Sequence, residues 1–525
     1  MLDKILNVVE KVNTFINELV WGWPMIILIL GTGILITVRT KCMQVRKFGT
    51  SWGETIIPTV KSIGKKKQGL SKKENSVSQF EAFATAISGT VGTGNIVGVT
   101  SAIMTGGPGA VFWMWVSAFF GMITNYAENV LGIFFRRKEK NGDFSGGPAY
   151  YLSEGMAMTC NKGKLGSFLK TFGKILGVMA AVFCTFAAIG MSGAQTNKMS
   201  LTFQGVFSGN KKTIALVVGI VVAVVLALVI IGGIKAIGRV TSILVPFMSL
   251  IFMIMALVII FANITMVGSA FALIFGNIFK FKSAVAGATG YAFAQIIQKG
   301  LARGVFSNEA GLGSSVIAHS ASETREPVKQ GLWGIFEVFF DTFIICTLTA
   351  LVILVTFGDK VGQTTVLYAG DYADTVVSMM AFEELFGLFG KIVYSTILPL
   401  FAFTTILAWS YYGEKSVDFL FRKTGEKGRK IATTVFKVAY VLLVIVASVM
   451  NGDLAWAISD TFNGLMALPN LIGLVFMSGL VWKITKNYFD RKSGKDVKPM
   501  LSAYPQQQEE FEAELVYEED TVIEA

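Results

Sequence analysis

The sequence holds a single histidine, His319, and only four cysteines, Cys42, Cys160, Cys184 and Cys346, none of them in a C-x-x-C pair. That inventory excludes a Cys/His metal centre and a dithiol redox motif. It also lacks a Ser/His/Asp or Cys/His set, an H-E-x-x-H helix and a Walker phosphate loop, so neither enzyme chemistry nor an ATP-driven pump is expected. Asp, Glu, Lys and Arg make up only 15% of the chain. The net charge of +11 sits in loops with no basic patch interleaved with aromatics, so nucleic acid is not an expected partner. No repeated filter such as T-V-G-Y-G supports a channel, although pores also expose carbonyls. No cleavable signal pattern opens the chain, and the first span is expected to serve as the insertion signal.

What the chain does have is apolar length. Hydrophobic residues make up 53% of its 525 positions, and they gather into repeated runs of about 20, the length that crosses a bilayer. An all-α polytopic membrane protein follows. Residues 1–20 read as an amphipathic interfacial helix with Ile5, Val8, Val12, Phe15, Ile16 and Leu19 on one side. A first span runs from Trp21 to Val38. Further apolar segments near 80–106, 108–134, 175–197, 213–233, 240–262, 284–318, 331–357, 391–412, 432–450 and 454–482 bring the expected total to eleven spans. The loops at 39–79, 135–174, 233–239, 319–330 and 413–431, with the tail from 483, hold 34 of the 46 basic residues, against 9 in the opposite set. This bias places the N-terminus outside and the C-terminus in the cytoplasm. After Lys498 the tail carries eight acidic and no basic residues, a composition expected to be disordered.

One stretch, Phe80 to Gly109, is apolar yet carries Gly89, Gly92, Gly94 and Gly98 among Ser88, Thr90, Thr93 and Asn95. Glycine costs a helix about 1 kcal/mol per position relative to alanine, so an unwound segment is expected there. Bare peptide groups at membrane depth must be buried in protein or line a polar cavity. Close helix packing through Gly94-x-x-x-Gly98 is the alternative. The segment misses the G-x-G-x-x-G spacing of a dinucleotide loop.

With the first span set aside, ten remain, divisible into five and five. The first of each five is irregular, since 284–318 carries Gly300, Arg303, Gly304, Ser307, Asn308, Glu309, Gly311 and Gly313. An odd number of spans per half inverts the second half, and two interrupted spans at equivalent positions point to a secondary transporter with its site at the midplane. The implied divisions are an N-terminal part (1–79), a first repeat (80–262), a second repeat (263–482) and the tail (483–525). Free amides at a helix break suit a carboxylate, and free carbonyls suit an ammonium group or a cation. Candidates are Thr90, Thr93, Gly94 and Asn95 in the first break and Phe306, Ser307 and Asn308 in the second. Gln195 is a further candidate, with a helix–helix hydrogen bond as its alternative. Thr404 and Thr405, with Trp409 one turn on, offer hydroxyl oxygens to a hard cation such as sodium, or else bond back to their own helix. Glu81, Glu128, Lys299, Arg303, Glu309, Glu337 and Asp341 are ionisable residues within spans. A pair between Arg303 or Lys299 and Glu309 or a seventh-span acid is expected to latch a gate.

At these residues the chain resembles the alanine or glycine:cation symporter family of prokaryotes. The resemblance is carried by SGTVGTGNIVGVTSAIMTGGPGAVFWMW (88–115), GGPAYYL (146–152), RGVFSNEAGLGSS (303–315) and TTILAWSYYGE (404–414). It implies a LeuT-type fold, a five-helix inverted repeat with one added span, in a prokaryotic plasma membrane. It further implies sodium-driven uptake of a small neutral amino acid, alanine or glycine, with no obligate protein partner. Proton coupling or a preference for glutamine or serine are the alternatives. By that resemblance Gly89, Thr90, Thr93 and Gly94 hold the substrate, and Gln195, Phe306, Asn308 and Trp409 complete the pocket. Carbonyls of Ser88, Val91 and Phe401 with hydroxyls of Thr404 and Thr405 take the sodium ion. Nothing is carried over to residues 162–174 or to the tail.

Overall fold

The computed structural model describes residues 2–62, 77–140, 142–159, 163–279, 289–361, 373–450 and 452–523. These are almost entirely helical, with one small antiparallel pair, Arg137–Lys138 on Phe144–Ser145. Among the described residues, eight helices are long and apolar enough to cross a membrane, or ten if each of two bent pairs counts as one span. Residues 284–288 of the expected seventh segment lie outside the described residues. Apolar side chains on the outward faces, such as Val217, Val221 and Leu228 of Lys211–Ile230, are exposed. An apolar exterior over buried polar residues is the pattern of a multi-pass membrane protein.

The N-terminal helix Leu2–Val20 leaves Val8, Val12, Phe15 and Leu19 exposed along one side. Its other side is pinned to the long helix Gly452–Lys492, where Asn17 Nδ2 donates to Asp460 at 3.2 Å and Trp21 Nε1 to the Asp460 carbonyl at 3.0 Å. The chain then bends by 40° into Trp23–Arg39.

Both glycine-rich segments are broken. Gln79–Thr90 and Val97–Gly106 are joined by a short turn, Thr93–Asn95, with a bend of 54°. Thr289–Asn308 stops at a left-handed Glu309 (φ 55°), and the chain passes Gly311 (φ 93°) and Gly313 (φ 76°) before a short helix, Ser315–His319. Side chains at positive φ cost about 1–2 kcal/mol each, which is why glycines occupy two of those three positions. Packing through Gly98 does not explain the first cluster, because a Cβ there would meet nothing within 4 Å. Glu81 lies in the first turn of its helix: its carboxylate accepts from Ser78 N at 2.8 Å while Ser78 Oγ accepts from Glu81 N, a reciprocal cap that starts the helix.

Three long helices enclose the breaks. Gly163–Val206 brings in Gln195. Asp374–Leu420, kinked at Gly387 (φ 58°), brings in Thr404, Thr405 and Trp409. Pro327–Val338 and Thr347–Val361 are joined by a π-helical stretch, Phe339–Cys346, which carries Asp341. Stretches of this kind widen the turn and turn up at functional sites.

The tail corrects the sequence-based expectation. It is not disordered over its described length: after Gly452–Lys492 the chain folds back and forms a helix, Pro505–Ile523. Phe511 and Leu501 are fully buried with Phe144. Composition misleads here because two apolar anchors are set among acids that find basic partners, Arg325 with Glu514 and Lys138 with Glu510.

Candidate functional site

At the first break the helical bonding pattern is diverted. A continuous helix would aim Gly92 N at the Ser88 carbonyl; instead it bonds Thr90 O at 3.0 Å and Asn95 Oδ1 at 2.9 Å. Asn95 N likewise bonds Gly92 O at 3.4 Å and leaves the Val91 carbonyl. The Ser88 carbonyl accepts from Thr405 Oγ1 at 2.9 Å, and the same hydroxyl lies 3.0 Å from the Phe401 carbonyl. Thr404 Oγ1 is 3.0 Å from the Phe401 carbonyl and 3.1 Å from that of Leu400. Thr404 thus bonds to its own helix, whereas Thr405 reaches across to the break. Gly92 is obligatory here, since a Cβ would stand 2.4 Å from Thr405 Oγ1.

The expected substrate residues are all buried; Gly89, Thr90, Thr93, Gly94, Gln195 and Phe306 gather at the first break, and Asn308 and Trp409 lie at the second. Thr93 donates through Oγ1 to Gln195 Oε1 at 2.8 Å and through its amide at 3.4 Å, so Gln195 bonds between helices, and its partner is the break itself. Thr90 Oγ1 bonds back to Ile87 O at 3.1 Å. Gly89 is pressed on Tyr412, where a Cβ would lie 2.7 Å from the hydroxyl. A Cβ on Gly94 would sit 3.5 Å from the Phe306 ring. Asn308 turns along the second break, accepting from Ala310 N at 3.1 Å and donating to Thr342 Oγ1 at 3.2 Å. Trp409 Nε1 donates to Glu309 at 2.9 Å, and Ser314 donates to the other oxygen of that carboxylate.

The two breaks meet at one side chain that the sequence marked only as an intramembrane acid. Asp341 accepts from Asn95 Nδ2 at 2.5 Å, from Ser307 Oγ at 3.0 Å and from Thr342 Oγ1 at 2.8 Å. It thereby joins the first break to the end of Thr289–Asn308. Cys346 lies beside this knot, its Sγ 3.2 Å from Ser307 Oγ. Above Phe306 the expected latch takes a different form. Glu309 is engaged by Trp409 and Ser314, and the carboxylate facing Arg303 is Asp460, at 4.0 Å. Arg303 also lies over the rings of Phe306 and Trp456, whose centroids are 5.0 Å apart with planes tilted by 34°, and Lys198 pairs with Asp374 at 2.7 Å. Trp456 and Asp460 went unnoticed in the sequence because they open the last apolar run, where an aromatic and an acid read as an ordinary span end.

The description "Sodium:alanine symporter family" matches residues 6–502. The sodium/alanine symporter AgcS of Methanococcus maripaludis is 40% identical over 485 residues, covering 92% of this chain and 98% of that protein. The chain belongs to the sodium:alanine symporter family. It is therefore a member of a family of transporters and not of enzymes. Another symporter relative, the probable sodium/glutamine symporter GlnT of Bacillus subtilis, is 33% identical, with 93% of each chain covered. Two solved structures share the LeuT-type fold. MhsT in complex with L-phenylalanine has a TM-score of 0.52 at 15% identity, covering 79% of this chain and 99% of its own. A Na+-coupled sialic acid symporter has a TM-score of 0.50 at 11% identity, covering 92% and 94%. In this symporter Thr405 Oγ1 brings the Ser88 and Phe401 carbonyls together and Thr404 Oγ1 shares the Phe401 carbonyl, while the Thr93 amide faces Gln195.

Proposed function

We propose that this chain takes up a small neutral amino acid, alanine or glycine, together with sodium, by alternating access around the two breaks. The observation that carries the reading is the position of Thr405 Oγ1, 2.9 Å from the Ser88 carbonyl and 3.0 Å from that of Phe401. One hydroxyl hydrogen cannot serve two carbonyls at once, and a surplus of oxygens suits a hard cation. Carbonyls of Ser88, Val91 and Phe401 and hydroxyls of Thr404 and Thr405 are the sodium ligands in this reading. The amino acid carboxylate faces the amides of the first break, with Gly89, Thr90, Thr93 and Gly94 below it. Gln195, Phe306, Asn308 and Trp409 close the pocket and limit side-chain size.

Eleven spans, an added first span and an inverted five-plus-five repeat divided at 80–262 and 263–482, complete the architecture. The N-terminus faces outward and the C-terminus inward across a prokaryotic plasma membrane, in keeping with the basic loops. Arg303 with Asp460, over the Phe306 and Trp456 rings, shuts the outer side. One sodium ion entering down ~100 mV supplies about 2.3 kcal/mol, enough for roughly 50-fold accumulation.

The test is uptake of labelled alanine and glycine into proteoliposomes under imposed sodium, proton and voltage gradients, with serine and glutamine as competitors. Saturable accumulation that requires a sodium gradient supports the reading. Accumulation driven by protons alone would replace the ion, and equilibration without accumulation would replace the mechanism.

A further inference from the structure

The family match ends at residue 502, and the helix Pro505–Ile523 begins just beyond it. That helix is docked on the body of the protein. Phe511 stacks edge-on against Phe144 at 6.2 Å, and two guanidinium groups cover the pair. Arg136 lies 3.8 Å from the Phe144 ring and Arg325 4.7 Å from the Phe511 ring. Polar contacts fix the register. Ala503 N donates to Phe134 O at 2.9 Å, Gln507 Nε2 to Arg136 O at 3.1 Å, and Arg325 Nε to Glu514 at 2.5 Å.

The surface under the tail is where both broken spans end. Arg136, fully buried, donates to the carbonyls of Ser320, Ser322 and Thr324, which directly follow the short helix Ser315–His319 of the second break. The same loop pairs with Val77, two residues before the first broken span: Val77 N donates to Ala321 O at 3.3 Å and Glu323 N to Val77 O at 2.7 Å. On its third side, Glu326 is paired at 2.6 Å with Arg491 of Gly452–Lys492. Opening the site toward this side requires the ends of the broken spans to part, and the tail sits on the residues that tie them.

We propose that the C-terminal helix is a latch on the cytoplasmic side, docked through Phe511 onto Arg136 and Arg325, which holds the ends of both broken spans together until it releases. The inference rests on the transport reading above for its direction, but its contacts do not. The tail lies outside the matched family region. Its ion pairs are partly exposed, so raised ionic strength loosens the latch.

The test compares the full chain with one ending at Ala503, both in lipid nanodiscs, by amide hydrogen exchange and, in proteoliposomes, by initial alanine uptake. Release of the latch is expected to speed exchange about tenfold in residues 77–90 and 315–322, beyond the tail's own footprint, and to raise the uptake rate. Unchanged exchange in those two segments would overturn the proposal. Should the shortened chain fail to fold, Glu514→Arg in the full chain is expected to give the same increase, and adding Arg325→Glu to reverse it. No increase with Glu514→Arg would overturn it equally. Absence of alanine accumulation by the full chain would count against the transport reading, while the exchange comparison would still decide the latch.

Discussion

Thr405 and Asp341 are the two residues on which the proposed chemistry turns. Thr405→Val keeps the shape of the side chain and removes the hydroxyl that joins Phe401 to Ser88. Losing a hydrogen-bonding group to a charged partner costs about 1.5–3 kcal/mol, so sodium affinity is expected to fall roughly 10- to 100-fold in a protein that still folds. A sodium titration of alanine uptake reads this directly, and an unshifted titration would remove Thr405 from the cation site. Asp341→Asn replaces one of two accepting carboxylate oxygens with an NH2, which then faces either Asn95 Nδ2 or the hydroxyls of Ser307 and Thr342, groups that donate to the carboxylate. One buried donor left without an acceptor costs about 1–3 kcal/mol. Uptake is expected to drop at least about tenfold with the yield of folded protein retained. Uptake equal to that of the unmodified chain would show that the two breaks do not need this bridge.

At the scale of the element, the breaks depend on where glycine is required and where it is merely present. Gly313 has φ 76°, and a Cβ there would lie 2.4 Å from Pro148 Cγ, whereas a Cβ on Gly98 would meet nothing within 4 Å. Gly313→Ala is expected to destabilise by about 1–2 kcal/mol from the backbone alone. Gly98→Ala is expected to stabilise its helix by up to about 1 kcal/mol. Thermal unfolding of the two variants in the same detergent, with shifts of opposite sign, checks the contrast. Both breaks were legible in the sequence because clustered glycines are costly in a continuous helix, with close packing as the alternative that the open space at Gly98 removes. Thr404 and Thr405 were legible as a pair, but not which one bonds within its helix and which reaches across; that depends on how Asp374–Leu420 is rotated against the break. Asp341 was visible as a misplaced charge, but its partners are contributed by segments 246 and 34 residues away, beyond any local pattern. The tail was misread because average composition hides the position of single anchors such as Phe511.

In the molecule as a whole, the proposed cycle closes its two sides by different means. On the proposed outer side Arg303 and Asp460 meet beside the rings of Phe306 and Trp456. On the proposed inner side the broken spans are tied through the 320–326 loop. Asp460→Asn removes the charge opposite Arg303 and is expected to raise outward access to the site, seen as faster substrate release to the outside with folding unchanged. Equal release rates would place the outer barrier elsewhere. The central claim is that the unwound backbone of two spans is itself the receptor for cargo and ion. An experimental structure of the chain with L-alanine and sodium tests it most directly. The account predicts the alanine carboxylate on the amides of the Gly92–Asn95 turn and the ion among Ser88, Val91, Phe401, Thr404 and Thr405. Alanine bound away from both breaks, or either span continuous from end to end, would contradict it.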